Sequence, residues 1–329
     1  MRSLLLRPNL RWMHQSLADG GSPAPASSRL FTAEELLLWR RGLLAEGGRP
    51  ADLDWLLDLA GGLPWRELQA LRLHPGRSVE LSCSQAHIED LWRRHLAAAV
   101  PLQYLVGRCP WRDLEVQVAP GVLIPRQETE HLPDLAVALS QPPAAVPRLW
   151  ADMGTGSGCL ALALALAFPQ SQGLAVDVSD AALAQTELNL RPHGALARVR
   201  LVRSDWWQEL TPWMGQLDLV VANPPYIPSA TVDGLDPVVR LHEPRLALDG
   251  GADGLGALRR VVAGAPSALA PGGLLLVEHH HDQSEAVLAL LEAAGLVEVT
   301  AHHDLEGVAR FASARRPLAS MAAAELSQA

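Results

Sequence analysis

The residues of this chain best suited to chemistry are four consecutive ones, Asn223-Pro224-Pro225-Tyr226. They directly follow residues 217–222, an apolar run of strand length, and open α/β sheets bind ligands at the carboxyl ends of their strands. The prolines lack backbone donors and make a rigid turn, so the Asn223 side-chain oxygen and a proline carbonyl can both accept hydrogen bonds from one NH2 group. The Tyr226 ring adds a flat face for stacking. The pattern predicts a pocket for a planar amide or an exocyclic amino group, with an ordinary proline turn as the alternative.

A glycine-rich loop stands earlier in the chain, between a predicted strand at residues 148–153 and a predicted helix at residues 159–168. The loop reads Gly154-Thr155-Gly156-Ser157-Gly158. Glycines let a ligand approach the backbone closely, and the start of the following helix offers free N–H groups. A dinucleotide-binding fingerprint would require glycine at Cys159. Counted from Asp152, the spacing is D-x-G-x-G-x-G instead, as in S-adenosylmethionine (AdoMet) methyltransferases.

The next predicted strand, at residues 173–178, carries Asp177 near its carboxyl end. In nucleotide-binding sheets an acid at this point accepts hydrogen bonds from the ribose hydroxyls. A glycine loop, a ribose-binding acid and an Asn-Pro-Pro-Tyr turn in this order are a stronger signal than any one of them. Together they indicate an AdoMet-dependent enzyme that acts on a planar NH2 group.

With these motifs the chain resembles the protein-(glutamine-N5) methyltransferases, which modify the Gly-Gly-Gln glutamine of peptide chain release factors. The resemblance runs from about Thr32 to Arg310. Three further segments carry it: PLQYLVG at residues 101–107, LIPRQETE at 123–130 and HEPRLALDGGADGL at 242–255. The related ribosomal-protein glutamine methyltransferases usually depart from the R-x-E-T-E pattern, which favours the release-factor branch.

The resemblance implies AdoMet as cofactor and direct transfer of its methyl group to the glutamine side-chain nitrogen of release factors 1 and 2. It implies that the turn at residues 223–226 is catalytic and binds the substrate, with Asn223 also touching the cofactor. The other cofactor-binding residues that it implies are Asp152, Gly154, Thr155, Gly156, Ser157, Gly158, Asp177, Asp205 and Trp206. Among these, Asp205 would bind the adenine amino group and Trp206 would pack beside the base, although a core role is the alternative for Trp206.

Three charged residues of the matching segments are further candidates. Arg126 and Glu128 are expected beside the substrate or AdoMet, with an exposed ion pair as the alternative. Glu243 is expected to brace the loop that follows Tyr226, with a plain surface acid as the alternative.

Two other functions remain open at this stage. Nucleic-acid amino methyltransferases of the N6-adenine type share the Asn-Pro-Pro-Tyr motif, but the net charge of −9 and the pI near 5.7 do not favour a nucleic-acid surface. A non-catalytic AdoMet-binding scaffold is the second, although every motif that the chemistry needs is present. We therefore expect a monomer with a protein substrate, without direct nucleic-acid or membrane binding.

Composition agrees with a two-domain cytoplasmic protein. The chain has 329 residues, 49% of them hydrophobic, enough for a sizeable core. No apolar run approaches the roughly 18 residues of a membrane span. The three cysteines are scattered and odd in number, which favours reduced thiols in the cytoplasm.

Changes in composition and periodicity predict five regions. They are a flexible extension (residues 1–30), a helical substrate-engaging domain (31–99), a β-hairpin linker (100–130), the methyltransferase domain (131–316) and a frayed tail (317–329). The extension has three arginines and no acid before residue 19, so a transit peptide or a misplaced start is also conceivable. In the helical domain, Thr32 with Glu35 matches a capping box that would start the first helix.

Alternating strands and helices from residue 131 onward predict an α/β fold, the Rossmann-like, doubly wound sheet of AdoMet-dependent methyltransferases. The predicted strands are 148–153, 173–178, 199–203, 217–222, 273–278 and 297–302, with an antiparallel strand near 308–312. In the linker, Val116 and Val118 alternate with polar residues, as in a hairpin with one buried face.

A run of histidines, His279-His280-His281-Asp282, with His302-His303 further on, has the composition of a metal site. Adjacent residues of an extended segment point to opposite sides, so such a run rarely chelates one ion. We therefore predict no metal. His280 stands where the resembling family usually has glycine, which makes the local loop shape an open point.

Overall fold

The computed structural model describes residues 30–140 and 146–318, which fall into two compact units, one ending at Glu89 and the other beginning at Asp90. Residues 1–29 of the expected extension lie outside the described residues, as does the expected tail from residue 319. In the described parts, no helix is long and apolar enough to cross a membrane.

The first unit is mainly helical, as predicted, with one short sheet that was not predicted. Its elements are β1 (Leu30–Thr32), α1 (Ala33–Ala45), α2 (Pro50–Leu59), α3 (Trp65–Leu73), β2 (Ser78–Glu80) and the start of α4 (Gln85–Ala98). The capping box is confirmed, because the Thr32 hydroxyl accepts from the Glu35 amide and the Glu35 carboxylate accepts from the Thr32 amide. Strands β1 and β2 pair antiparallel over three residues each, too few for a periodic pattern to show in the sequence.

The second unit begins with the linker, where a helix precedes the hairpin. Its elements are α5 (Leu102–Val106), β3 (Arg108–Trp111) and β4 (Leu114–Gln117). The predicted hairpin is present, and Val116 and Val118 are buried while Gln117 is exposed. Residues 102–106 were wrongly included in it: they form a helical turn that ends at Gly107, whose φ of 77° is left-handed.

The remaining elements of the second unit form a seven-stranded sheet with helices between its strands. In chain order they are α6 (His131–Leu139), β5 (Leu149–Met153), α7 (Cys159–Ala167), β6 (Gln172–Asp177), α8 (Asp180–Leu190), β7 (Val199–Arg203), β8 (Leu217–Ala222), α9 (Ser229–Val232), α10 (Pro237–Arg240), α11 (Gly256–Ala268), β9 (Leu269–Glu278), α12 (Ser284–Ala293), β10 (Val297–His303) and β11 (Ala309–Arg315). The strand order is β10-β11-β9-β8-β5-β6-β7. Strands β5 to β9 run parallel, and β11 is antiparallel to both its neighbours. The predicted α/β doubly wound sheet and its antiparallel strand are confirmed.

Strand boundaries differ from the prediction mainly in β9 and β11. Strand β9 begins at Leu269 rather than at residue 273, because Leu269 already pairs with Leu217 ahead of a register shift. Strand β11 extends to Arg315 because its residues 311–315 pair with residues 274–278 of β9. In both strands the extra residues are recruited by a neighbour, which local composition does not reveal.

Both faces of the sheet are buried, which places the functional groups at its edge. Core clusters cover the two faces, one around Trp150 and the other around Met153. The carboxyl ends of β5, β6, β8 and β9 therefore come together, and they carry the glycine loop, Asp177, the turn at 223–226 and Glu278. This edge is where a parallel sheet binds its ligands.

Candidate active site

The glycine loop at residues 154–158 is held by backbone hydrogen bonds and by α8. The Gly154 and Thr155 amides donate to the Val176 carbonyl at 2.8 and 2.9 Å. Gly158 has a φ of +80°, and a Cβ there would lie 2.8 Å from the Thr186 methyl carbon. Only glycine fits both demands at this position. The loop is therefore a rigid backbone cradle at the start of α7.

Asp177 joins the end of β6 to this loop. Its carboxylate accepts from the Gly156 amide at 3.0 Å and from the Ser179 amide at 2.9 Å. Burial raises the pKa of Asp177, while these amides act in the opposite direction. A carboxylate has about four acceptor positions, so it retains capacity for hydroxyl donors of a ligand.

Asp152 occupies a supporting position and does not line a cavity. It is fully buried, and one of its oxygens accepts from the Thr155 hydroxyl at 2.7 Å and from the Ala161 amide at 3.0 Å. Burial raises its pKa to about 7. The structure thus places Asp152 beneath the loop, not among the groups that face the cavity.

Two residues after β7 stand opposite the glycine loop. Trp206 has a left-handed φ of 54°, unusual for a bulky residue. Its ring lies 3.7 Å from where a Gly154 Cβ would be, an ordinary contact distance, so the ring packs directly against the loop. Asp205 forms an ion pair with Arg260 of α11 at 2.6 Å, and all three side chains line the same cavity. The neighbouring Trp207 donates its indole N–H to carbonyls of α11.

The turn at residues 223–226 is braced by the segment that follows it in the chain. The Tyr226 carbonyl accepts from the Gln283 side chain at 2.9 Å. A Cβ on Gly254, whose φ is +75°, would lie 2.3 Å from that same carbonyl. The glycines of the 242–255 segment thus let two stretches of backbone pack in direct contact. The turn is as rigid as its two prolines predict.

Asn223 and Tyr226 each hydrogen-bond to a buried polar side chain. The Asn223 NH2 group donates to the Thr129 hydroxyl at 2.9 Å, and the Tyr226 hydroxyl donates to Glu278 at 3.2 Å. Glu278 is 1% exposed, and burial raises its pKa to about 7. The pKa of Tyr226 is also raised, first by burial and then by Glu278.

Two cavities meet at this turn. The larger, of about 440 Å³, is lined by residues 154–157 and by Asp177, Asp205 and Trp206. The smaller, of about 240 Å³, is lined by all four residues of the turn and by the apolar side chains Leu235 and Val239. Asn223, Pro225 and Arg126 line both cavities. A group bound in the smaller cavity would therefore meet the larger one beside Asn223.

The charged candidates of the linker pair differently from the expectation. Arg126 binds Glu243 at 2.8 Å, and the Glu243 carboxylate also accepts from the Ile124 amide at 3.1 Å. Glu243 is 6% exposed, so the surface-acid alternative is wrong. It ties the linker to the segment after the turn instead of bracing that segment alone. Glu128 is exposed and lines neither cavity, so its expected position beside the ligands stays a prediction.

Of the histidines at residues 279–281, His280 and His281 place their rings 4.1 Å apart. His279 is fully buried, whereas His280 contacts Asp282 at 2.6 Å and places its ring 6.2 Å from that of Tyr226. His302 hydrogen-bonds to Ser313. Across residues 30–140 and 146–318, no group of three or more His, Cys, Asp or Glu side chains could hold a metal ion.

Sequence reasoning missed four side chains of the site: Thr129, Arg260, Glu278 and Gln283. Thr129 lies inside a matching segment but was not singled out, because its neighbours carry charge. Glu278 ends a strand that is parallel to the strand of the turn, and the strand-end rule that drew attention to Asp177 applies to it equally. Arg260 and Gln283 lie on or beside helices that carry no motif.

The larger cavity fits a nucleoside cofactor such as AdoMet. Its volume is within the ordinary range for small-molecule sites. It combines a glycine cradle, a carboxylate with free acceptor positions at the end of the adjacent strand, and an aromatic ring opposite. The glycine cradle suits the amino-acid part of such a cofactor, the carboxylate suits its ribose, and the aromatic ring suits its base.

Comparisons with known proteins agree with this geometry. A family model described as the methyltransferase small domain matches residues 135–235. The release factor glutamine methyltransferase of Prochlorococcus marinus is 50% identical over 289 residues, covering 88% of this chain and 99% of the relative. The enzyme of that name from Thermosynechococcus vestitus is 40% identical over 85% of this chain and 96% of the relative.

Among solved structures, the release-factor-specific protein-(glutamine-N5) methyltransferase of Alicyclobacillus acidocaldarius is 30% identical. The match covers 61% of this chain and 99% of the other, with a TM-score of 0.36. The family resemblance predicted from the motifs is confirmed by the near full-length identity to the Prochlorococcus and Thermosynechococcus proteins. This chain belongs to the family of release factor glutamine methyltransferases.

Proposed function

We propose that this chain transfers the methyl group of AdoMet to the side-chain nitrogen of the glutamine in the Gly-Gly-Gln motif of peptide chain release factors. The observation that carries the proposal is the position of Asn223, which lines both cavities while its NH2 group is engaged by Thr129. Its carbonyl oxygen is then the atom available to a ligand. The site presents an acceptor to an NH2 group where the two cavities meet.

A glutamine amide nitrogen is a poor nucleophile because its lone pair is delocalised into the carbonyl. In the proposed mechanism, the Asn223 side-chain oxygen and the Pro224 carbonyl accept the two N–H bonds of the substrate amide. This arrangement turns the nitrogen lone pair toward the larger cavity. It also stabilises the positive charge that develops on the nitrogen during transfer.

The other residues of the turn position the amide. The rings of Pro225 and Tyr226 border the smaller cavity and would pack against the amide plane. Residues 154–158 and Asp177 would hold AdoMet, which would supply the methyl group from its sulfonium; the N–CH3 bond forms as the S–CH3 bond breaks, and S-adenosylhomocysteine leaves. Positioning and electrostatics thus account for the rate, and the nitrogen releases its extra proton after transfer.

The substrates we propose are release factors 1 and 2, met in the cytoplasm by a monomer that binds neither nucleic acid nor a membrane. The acidic net charge of −9 supports a protein substrate over a phosphate backbone. We also propose that the helical domain at residues 31–99 engages the release factor. A pocket for one side-chain amide cannot by itself distinguish this glutamine from others, whereas a remote contact can select the substrate and help to position it.

The test is a methylation assay with purified chain, methyl-labelled AdoMet and either release factor. We expect one methyl group on the Gly-Gly-Gln peptide, read by mass spectrometry after digestion. The matched control is a release factor with glutamate in place of that glutamine, which should gain none. A short Gly-Gly-Gln peptide should react more slowly than the folded factor. Label in bulk DNA but not in the release factor would contradict the proposal and favour an amino methyltransferase of nucleic acids.

A further inference from the structure

Two buried polar side chains of α8 bind successive carbonyls of the glycine loop. The Thr186 hydroxyl donates to the Gly156 carbonyl at 3.1 Å, and the Asn189 NH2 group donates to the Ser157 carbonyl at 2.8 Å. Thr186 is fully buried and Asn189 is 4% exposed. Neither of them lines the larger cavity, so they can act on a cofactor only through the loop.

We propose that Thr186 and Asn189 are positioning residues for AdoMet, which turn these two carbonyls toward α8 and leave the Ser157 amide free to bind the amino-acid part of the cofactor. The inference rests on the proposed function, because it takes AdoMet as the occupant of the larger cavity. The groups that face the cofactor are backbone groups, and the two α8 side chains set their direction.

The direction of the Ser157 amide follows from peptide geometry. In a planar trans peptide the C=O and N–H groups point in opposite directions. The Gly156 carbonyl points to Thr186, so the N–H of the same peptide, which belongs to Ser157, points away from α8. Ser157 also lines the larger cavity. The loop thus offers this donor to a ligand of that cavity.

The Ser157 amide is the one amide of the loop that lacks a partner within residues 30–140 and 146–318. The other four amides of residues 154–158 donate inside the protein, to the carbonyls of Val176 and Thr155 or to the carboxylate of Asp177. Ser157 directly precedes the N-cap of α7, and the N-terminal end of a helix favours an anion. The carboxylate of the methionine part is the only anionic group of AdoMet, so it is the acceptor that suits this donor.

Close packing and a fixed amide orientation hold the two α8 donors in place. Thr186 packs on Gly158, where a Cβ would lie 2.8 Å from its methyl carbon. The Asn189 NH2 group also donates to the Gln117 carbonyl at 2.9 Å, and its oxygen accepts from the Gln117 amide at 2.8 Å. A flipped amide would set donor against donor and acceptor against acceptor, so the NH2 group has to face Ser157. Because Gln117 belongs to β4 of the linker, a change at Asn189 would also disturb the linker, and Thr186 is the cleaner residue to test.

The first experiment removes the Thr186 hydroxyl and measures AdoMet binding by calorimetric titration. Thr186→Val keeps the branched shape, and the AdoMet dissociation constant should rise about 3- to 10-fold, as for the loss of one hydrogen bond. The KM for AdoMet should rise in parallel, whereas kcat at saturating AdoMet should not fall. Thr186→Ser should restore most of the affinity because it returns the hydroxyl. If Thr186→Val does not fold, Thr186→Ala and Thr186→Ser make the same comparison, since they differ only in the hydroxyl.

The matched control is Gln185→Met on the same helix. Gln185 is 5% exposed and donates to the Gln117 carbonyl at 2.9 Å, so its buried hydrogen bond goes to the linker and not to the glycine loop. The variant should bind AdoMet as the wild type does, even if its thermal unfolding temperature falls.

The second experiment compares ligands that differ in the amino-acid part. S-adenosylhomocysteine retains that part, whereas 5′-methylthioadenosine retains the base, the ribose and the sulfur but lacks it. Thr186→Val should weaken the binding of S-adenosylhomocysteine as much as that of AdoMet, and it should leave the binding of 5′-methylthioadenosine unchanged. A general loosening of the fold would weaken all three ligands alike.

The outcomes separate this inference from the proposed function. If Thr186→Val binds AdoMet as tightly as the wild type, or loses affinity for 5′-methylthioadenosine to the same extent, the positioning role is wrong and the proposed function stands. An equal loss of AdoMet affinity in Gln185→Met would also overturn the positioning role. If the expected shifts occur but the wild type transfers no methyl group to release factor, the positioning role stands and the proposed function is overturned.

Discussion

Two adjoining parts of the site are held in place by different parts of the chain. In the cofactor half, residues 154–158 and Asp177, backbone amides bind the Val176 carbonyl and the Asp177 carboxylate. In the acceptor half, residues 223–226 with Thr129 and Glu278, side chains from separate segments hold one another. The cofactor half is made of local backbone geometry, whereas the acceptor half depends on side chains and on where their protons lie.

The backbone cradle suits the binding of a cofactor, and the side-chain contacts suit the orientation of a substrate amide. A nucleoside cofactor offers many donors and acceptors, and a rigid backbone cradle can bind them without further adjustment. An amide nitrogen must instead be turned so that one lone pair points at one carbon, and a small rotation lowers the rate steeply. Side chains held by a buried hydroxyl and a buried carboxylate give that angular control.

The largest effect that would test this division is expected from Asn223→Ala. The change removes the acceptor for the substrate amide, and we expect kcat to fall about 100- to 1,000-fold, as when a single group that stabilises developing charge is removed. AdoMet should still bind, because the cofactor half does not use the Asn223 side chain for its own structure. A methylation assay beside calorimetric titration with AdoMet measures both quantities. Loss of AdoMet binding together with activity would place Asn223 in the cofactor half.

Asp177→Ala should have a smaller effect, and it should lower the affinity for AdoMet instead of kcat. Loss of a hydrogen-bonding carboxylate typically costs about 1.5–3 kcal/mol, so AdoMet should bind roughly 10- to 100-fold more weakly. At saturating AdoMet, kcat should recover because the acceptor half is intact. Asp180→Ala is the matched control, since that exposed acid pairs with Arg203 outside both cavities. An unchanged AdoMet dissociation constant would contradict the proposed role of Asp177 in binding the ribose.

The smallest effect is expected from Arg260→Ala at the rim of the cofactor half. Its ion pair with Asp205 is half-exposed, and such pairs contribute at most about 1 kcal/mol. AdoMet affinity should therefore change less than about 5-fold, with kcat unaltered. Calorimetric titration at low and high salt is the measurement. A much larger loss would mean that Arg260 itself contacts the cofactor, so that the cofactor half also relies on a long side chain.

Much of the fold could be predicted because it depends on short-range patterns. Apolar runs of strand length, glycines at a loop and a capping box at Thr32 are written in consecutive residues, and the sheet, its edge and the α1 start follow them. The helical turn at residues 102–106 was a local feature that was missed, but other failures arise where distant partners recruit residues. The pairing of β1 with β2 and the early start of β9 are of this kind.

The features of the site likewise fall into those that local sequence predicts and those that depend on distant residues. The sequence alone determined that a glycine loop, an acid and an Asn-Pro-Pro-Tyr turn would end neighbouring parallel strands, because each motif directly follows its own strand. Only the tertiary structure decided that Thr129 hydrogen-bonds to Asn223 and Glu278 to Tyr226, that Arg126 pairs with Glu243 and that Arg260 pairs with Asp205. Hydrogen bonds between side chains depend on distances in space, and no spacing along the chain encodes a contact between segments about 50 to 150 residues apart.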